Sequence, residues 1–541
     1  MKLKKISLIE NTDFRSLPEN FSVSFSNQEI YAINPKCIVG LNGSGKSNLL
    51  ELIAEIFFYI EMNTIYDEKT KNTNFAFEIE YMLPLLVGNP HFKVDGTFKV
   101  GDNLDVKVIK SKTEQLKFMI KSSSNDSSKY VQVFNDLNSL LPNRIIGYSS
   151  GQNELLSNPF LKMRFHYMEK LRAMMNTKNR FDIGKSRMFW MDYSNNHAIV
   201  ISNLLLGTRK DLKLLVKELG VFAVDSFKIV IDYSKSDRKI ELPKELYENI
   251  EKLKKCSPFW YEKEDGNSVI KTIIEFNITQ EVIKAFKHHF VTPQALFEVL
   301  YQLQLLNLYI HKKDTVDKIL NTENKSLNIS EEIPYDPQKQ VFIVEKINLR
   351  KFIDFKHNKR NIKIIKYKNL SDGEHQFLQV HGSMMMLSQG GNIFLLDERE
   401  THFNPMWRSN MVKMFSNIAK NKEQISQDIL LTTHSPFILS DSNEKNIFKF
   451  IKVDGKIEYI TNQDLGIPTY GTSVGLLLEH IFGQENSMGN LVLEELQQTI
   501  EQVKTLEQIE QAKQKLLKFG ESIEKFYIQN KLNKMKKKLT Q

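Results

Sequence analysis

The eight residues Gly40-Leu41-Asn42-Gly43-Ser44-Gly45-Lys46-Ser47 constrain this chain more than any other feature. They match G-x-x-x-x-G-K-S, follow a strand-like run from Tyr31 to Val39, and precede a largely apolar run, Lys46 to Ile60, rich in the helix formers Leu50, Glu51, Leu52, Ala54 and Glu55. Strand, glycine loop and helix in that order aim successive backbone N–H groups and a helix N-terminus at one point, a geometry suited to phosphate oxygens. Lys46 then supplies a point charge for the β- and γ-phosphates, and Ser47 a hydroxyl for Mg²⁺.

Such a loop needs acidic partners for the metal and for an attacking water, delivered where a neighbouring buried strand ends. Asn392-Ile393-Phe394-Leu395-Leu396-Asp397-Glu398 is an apolar strand carrying two consecutive carboxylates. Asp397 is the candidate metal ligand and Glu398 the candidate general base, the alternative being an acidic strand end at the surface. Upstream, Leu370-Ser371-Asp372-Gly373-Glu374 begins a helix running through His375 to Leu387; taken alone, Ser371 and Glu374 form a capping box. Downstream, Ile429 to Pro436 is a second apolar strand ending in His434, either a γ-phosphate contact or a surface histidine. Lys46 and Asp397 lie 351 positions apart, so any shared pocket is a tertiary construction.

Around these motifs the chain divides into four stretches. Residues 1–154 start with alternating strands between Lys2 and Phe25, and the runs Phe75 to Met82, Phe92 to Val100 and Leu104 to Ile109, punctuated by Asp95-Gly96 and Gly101-Asp102, predict an antiparallel β-subdomain. Residues 155–345 mix helical stretches (160–175, 212–219, 294–311) with strand-like ones (227–233, 269–278) and show no heptad series, so they predict a compact, largely helical mixed insertion. Residues 346–484 resume α/β alternation, with a hairpin turning at Asp454-Gly455. Residues 485–541 predict a helical basic tail: Leu493, Leu496, Ile500 and Val503 recur at 3-4-3 spacing, Thr505 to Gln508 has capping-box form, and Gly520 is a stop. That apolar stripe is a candidate docking face for a partner or another protomer.

Composition narrows the class. With 541 residues, 41% apolar, the chain has material for about three or four structural units. The net charge of +9 permits phosphate-bearing partners without demanding them. Two cysteines, Cys37 and Cys256, exclude a disulfide framework and a Cys-rich zinc site. With no long uncharged apolar stretch and no signal-peptide pattern, a cytoplasmic protein without a membrane partner is expected. Two basic stretches, 350–368 and 531–538, are candidate nucleic-acid contacts or merely solvated faces.

The order of motifs resembles the ABC-type ATPase heads of the SMC, RecF and OLD-like class. Asn42-Gly43-Ser44-Gly45-Lys46-Ser47-Asn48 is similar to their Walker A motif, Leu370–Glu374 to the signature, Asp397-Glu398 to the Walker B pair and His434 to the switch histidine. The run Asp397-Glu398-Arg399-Glu400-Thr401-His402-Phe403-Asn404-Pro405 resembles the D-E-P-E-x-H-L-H-P string, with Arg399 for its proline and Asn404 for its second histidine; Asp372 replaces a usual glycine or proline of the signature. The phrases Gly147–Glu154, Met191–Ser194, Tyr470–Val474 and Phe482-Gly483 resemble the PtuA-type ATPases of Septu antiphage systems, also found with some retrons.

The resemblance implies an α/β ABC-type head with an antiparallel subdomain, binding ATP and Mg²⁺ between two protomers. Lys46 and Ser47 would act in cis, Ser371 and Gly373 in trans, and Glu398, His434 and Lys46 in hydrolysis. Ser47, Asp397 and Gln152 would serve the metal, with Gln152 equally readable as a loop residue; Arg15 is either a nucleotide neighbour or, on the better reading, a surface arginine. It further implies a homodimer or higher homo-oligomer that controls a PtuB-like HNH nuclease, in some systems beside a reverse transcriptase and its msDNA. No nuclease motif of the chain's own is seen. The competing readings are a RecF- or SMC-like DNA-repair ATPase with no toxic partner, and a transporter-coupled ATPase, which the mixed insertion fits poorly.

Overall fold

The computed structural model describes the chain apart from residues 26–29, 31, 67–74, 85–102, 124–128, 151–153, 176–185, 237–239, 241, 267, 322–327, 334–335, 354–360, 387–389, 422–425, 485–487, 502 and 541. At its centre is a seven-stranded sheet. Lys36–Gly40 lies between Ile447–Val453 and Gln427–Thr432, and Asn392–Asp397 lies between Gln427–Thr432 and Arg144–Ser149. These neighbours all pair in parallel; Met188–Trp190 extends the row in parallel, and Lys456–Thr461 closes the other edge antiparallel. The strands Lys36–Gly40, Asn392–Asp397 and Gln427–Thr432 are buried at every position, which is why they read as nearly unbroken apolar runs: a parallel strand covered on both faces loses its alternation. Parallel pairing also collects the strands' C-terminal ends, Gly40, Ser149, Asp397 and Thr432, on one edge, where open α/β sheets bind ligands.

The expected antiparallel subdomain is a six-stranded sheet ordered Ser22–Ser24, Lys2–Leu8, Phe77–Pro84, Asn103–Lys110, Lys117–Ser122 and Val131–Val133. The expected strand Phe92–Val100, with its two turns, lies outside the described residues. Lys36 and Asp428 join this sheet to the central one. Their side chains are wholly buried with Nζ 2.5 Å from Oδ2, and the same Oδ2 accepts from the Leu3 N–H at 2.7 Å.

The middle of the chain packs helices against a five-stranded antiparallel sheet ordered Phe259–Asp265, Ser268–Asn277, Val221–Asp232, Phe342–Phe352 and Ile362–Lys366. Phe342–Phe352 therefore runs through the 345/346 boundary expected from the motifs, and Met188–Trp190, inside the same region, belongs to the central sheet. Motif spacing marks where chemistry starts, whereas a sheet forms wherever a strand finds a partner edge. One apolar core runs from Met1 to Ile481. The fold class is the expected α/β one: a mixed-sheet core, an antiparallel β-subdomain, a mixed insertion and a helical tail.

The tail departs from expectation in one respect. Helices Asn490–Glu501, Leu506–Leu516 and Ile523–Thr540 share a core of their own, which takes in Leu496, Val503, Ile509, Leu516, Ile528 and Leu532, with Ile500 packed against it. The stripe expected to dock a partner is instead largely consumed inside the tail, because three amphipathic helices on short connections bury their faces on one another. The Thr505–Gln508 capping box is present. Among the described residues no helix is long and apolar enough to cross a membrane.

Candidate nucleotide site

The loop after Lys36–Gly40 turns directly into the helix Lys46–Thr64, whose N-cap is Gly45 in a left-handed conformation. No side chain caps this helix and no acidic residue stands in its first turn, so the positive end of its dipole and its first N–H groups are left for an anion. Lys46 is buried, and its Nζ donates to the carbonyls of Gly40 and Leu41 at 2.9 and 3.0 Å, folding the ammonium back over the loop. Burial pushes its pKa down, while Glu398 and Asp397 pull it up. The tip, Leu41 to Gly43, is exposed, and Ser44 is buried.

Gly40 is required by space as well as by angle. Its φ of 143° lies in the region L side chains avoid, and a Cβ there would sit 2.3 Å from the Phe450 carbonyl oxygen on the neighbouring strand. Gly40→Ala should cost at least about 1–3 kcal/mol in strain, displace the loop and remove nucleotide binding. A lowered urea midpoint together with lost binding checks this; unchanged binding would show the loop indifferent to that contact.

Asp397 meets this loop. Ser47 Oγ donates to its Oδ1 at 2.8 Å, Thr432 Oγ1 donates to the same oxygen at 2.6 Å, and Ser149 Oγ donates to Oδ2 at 3.4 Å. A hydroxyl and a carboxylate converging at the loop fit Mg²⁺, which takes one or two protein oxygens and fills its remaining positions with water and phosphate. Ser47 and Asp397 would hold the ion, which would neutralise charge on the phosphates. Gln152, the third expected metal residue, lies outside the described residues.

Glu398 follows in a left-handed backbone conformation (φ 44°), a strained state fixed by its N–H to Thr432 Oγ1 at 2.9 Å and by Thr401 Oγ1 donating to its carbonyl at 2.6 Å. Its Oε1 lies 3.6 Å from His434 Nε2. Burial and Lys46 lower the His434 pKa below its ordinary value against the pull of Glu398 and Asp397, so the ring is neutral near pH 7 and carries one N–H to offer. Phe482 packs beside that ring at 6.0 Å. The structure thus gathers Lys46, Ser47, Asp397, Glu398 and His434 from three strand ends.

Ser371 and Gly373 are placed differently. Ser371 is exposed and caps its own helix, Asp372–Met386: Glu374 N–H donates to Ser371 Oγ at 3.3 Å and Ser371 N–H to Glu374 Oε2 at 2.8 Å. Among the described residues neither Ser371 nor Gly373 hydrogen-bonds to residues 40–48. Gly373 lets the helix approach the loop after Asp397, since a Cβ would lie 2.8 Å from the His402 carbonyl oxygen. Asp372 at the helix start suits the dipole.

The departures noted in the sequence acquire physical roles. Asn404 caps the helix Pro405–Asn421, its Oδ1 accepting from the Trp407 N–H at 2.8 Å. Arg399 is fully buried, with its guanidinium 5.1 Å from the Phe415 ring centre, and burial pushes its pKa down to about 9. Arg15 is partly buried, and its Nη2 pairs with the buried Glu51 at 2.6 Å. Asn48 Nδ2 donates to Ser16 Oγ at 2.5 Å. A cavity of about 670 Å³ lies beside the site: Ser149 stands on its wall, as do His375 and Gln376 of the signature helix, but no residue of the glycine loop does.

Sequence reasoning missed Ser149, Thr432, Thr433 and Glu400. The only signal for the threonines was their position directly before His434.

No family model matches the chain. Among solved structures it is similar to the SMC head domain from Thermotoga maritima, at 11% identity and a TM-score of 0.31, over 85% of this chain and 99% of that one. It is also similar to an Smc head bound to the C-winged helix domain of ScpA, at 10% identity and 0.33, over 86% of this chain and 100% of that one. A third is the Smc head with a coiled coil and joint derived from Pyrococcus yayanosii, at 13% and 0.30, over 85% and 97%.

Proposed function

We propose that this chain is an ATP-binding and ATP-hydrolysing head that closes on a second copy of itself, and that it serves as the sensor and scaffold subunit of an antiphage system controlling a partner HNH nuclease. The observation that carries the first half is the junction of Ser47 with Asp397 at 2.8 Å, which brings a phosphate loop, a metal carboxylate and the adjoining Glu398 to one sheet edge. Bound there, the triphosphate would replace the Gly40 and Leu41 carbonyls as partner of Lys46, while Glu398 takes the proton of an attacking water and His434 donates to the γ-phosphate. The exposed Ser371, turned to its own helix, supports a contact made in trans. ATP that touches both protomers only when they are closed favours closure by its differential affinity, and hydrolysis releases it.

The second half rests on the resemblance to PtuA-type ATPases, and residues of two of the shared phrases touch elements of the site. Asp192 takes hydrogen bonds from Arg164 and, at its carbonyl, from Gln379 of the signature helix; Phe482 abuts His434. On this reading cutting belongs to the partner, with a reverse transcriptase and msDNA joining in retron-linked systems. The repair reading draws on the basic stretch 350–368, but Arg350 and Lys351 are engaged with Asp225 and Glu374, and residues 354–360 lie outside the described residues; Lys363, Lys366 and Lys368 are exposed.

Turnover per protomer should rise with protein concentration, and Ser371→Arg should keep ATP binding while losing turnover about 10²-fold, beyond the roughly 1 kcal/mol expected from the lost cap. Full-rate turnover by dilute protomers, or no binding of labelled ATP, would sink the proposal. Co-purification with neighbouring gene products tests the nuclease partner.

A further inference from the structure

We propose that Glu400 is a positioning residue that holds His434 in register with Glu398, an inference resting on the ATPase reading above. Strands Asn392–Asp397 and Gln427–Thr432 stay in register only as far as Leu396 opposite Leu431. Glu398 and His434 lie past the end of that ladder, so side chains must set their alignment. Two do so, one on each segment. Thr432 Oγ1 receives the Glu398 N–H at 2.9 Å and donates to Asp397 at 2.6 Å, which fixes the base. Glu400 answers from the other segment: its Oε1 accepts from Thr433 Oγ1 and from the His434 N–H at 3.1 Å, which fixes the histidine.

Glu400 is well placed for this task. Its side chain is buried, and its carbonyl is held by the Phe403 N–H at 2.9 Å and by Arg408 Nε at 3.1 Å, which anchors it to the helix Pro405–Asn421. Thr433 in turn receives the Ser435 N–H at 3.0 Å, so the bond carries on into the loop beyond the histidine. One carboxylate oxygen does the accepting, and among the described residues Oε2 has no hydrogen-bond partner. An acceptor at Oε1 is what the arrangement needs, and an amide oxygen supplies one as well.

The test compares kcat and ATP affinity in the wild type, Glu400→Ala, Glu400→Gln and Thr433→Val. A misplacement of about 1 Å at a reacting centre costs on the order of 10²-fold, so Glu400→Ala should lose about that much in kcat with ATP affinity unchanged. Glu400→Gln should recover most of it, and Thr433→Val, which removes one of the two donors, should fall between. Wild-type turnover in Glu400→Ala, an equal loss in Glu400→Gln, or a parallel loss of ATP affinity would overturn the inference. If Glu400→Ala does not fold, the kcat of Thr433→Val decides. A wild-type protein that hydrolyses no ATP would instead refute the ATPase reading, which keeps the two failures distinct.

Discussion

Glu398→Gln should leave ATP bound and lower its hydrolysis by about 10²–10⁴-fold, the usual contribution of a positioned general base. The substitution keeps the side chain's shape and removes only its capacity to take a proton. The contacts that place the residue are made by its backbone, through the N–H to Thr432 and the carbonyl to Thr401, so the left-handed turn at φ 44° survives the change. Lys46, Ser47 and the uncapped helix start, which would carry the affinity for phosphate, are untouched. Binding and turnover should therefore separate, with the ATP-bound form accumulating as a closed dimer visible by mass measurement. A variant that hydrolyses at the wild-type rate would remove Glu398 from the role of base and return Asp397-Glu398 to an ordinary acidic strand end.

Asp428→Ala should be among the most destabilising single changes in the molecule, by about 3–5 kcal/mol, although it lies far from the chemistry. Its effect comes from what it leaves behind. Lys36 is wholly buried with its ammonium 2.5 Å from Asp428 Oδ2, and its remaining contact of note is the Phe25 ring at 5.3 Å. Without the carboxylate that ammonium must lose its proton or drag water into the interior. The Leu3 N–H loses its acceptor as well, so the antiparallel sheet loses a tie to the central one. The urea midpoint reads the loss, and a shift no larger than that of a surface substitution would show that Lys36 finds another partner. Burial alone would raise the Asp428 pKa, but Lys36, Lys2 and the Leu3 N–H hold it below the ordinary carboxylate value. Its contribution is thus present above about pH 4 and disappears as the pH falls through the lowered folded value.

What could be read from the sequence follows a physical division. The phosphate loop is contiguous: strand, glycines and helix are neighbours in the chain, so their order contains the geometry. Capping boxes at Ser371–Glu374 and Thr505–Gln508 span four residues and were equally open to view. Alternation foretold the strand Phe77–Pro84 because one of its faces is buried at every second residue, whereas Lys2–Leu8 is buried at both ends irrespective of face. The three-residue strand Met188–Trp190 was missed because it is too short to show a period, and the tail's stripe was assigned to a partner because amphipathicity says that a face will be covered without saying by what.

The site divides in the same way. Residue identity and local order determined which groups can cradle phosphate, hold a metal, take a proton or cap a helix, since those properties belong to a side chain and its near neighbours. Only the tertiary structure decided that Ser47 meets Asp397 across 350 positions, that Arg15 is committed to Glu51, that Lys36 is neutralised by Asp428, and that Glu400 holds the loop of His434. Such meetings depend on which strands pair and on where each ladder stops, and sheet pairing is a bargain between distant segments that neither contains alone.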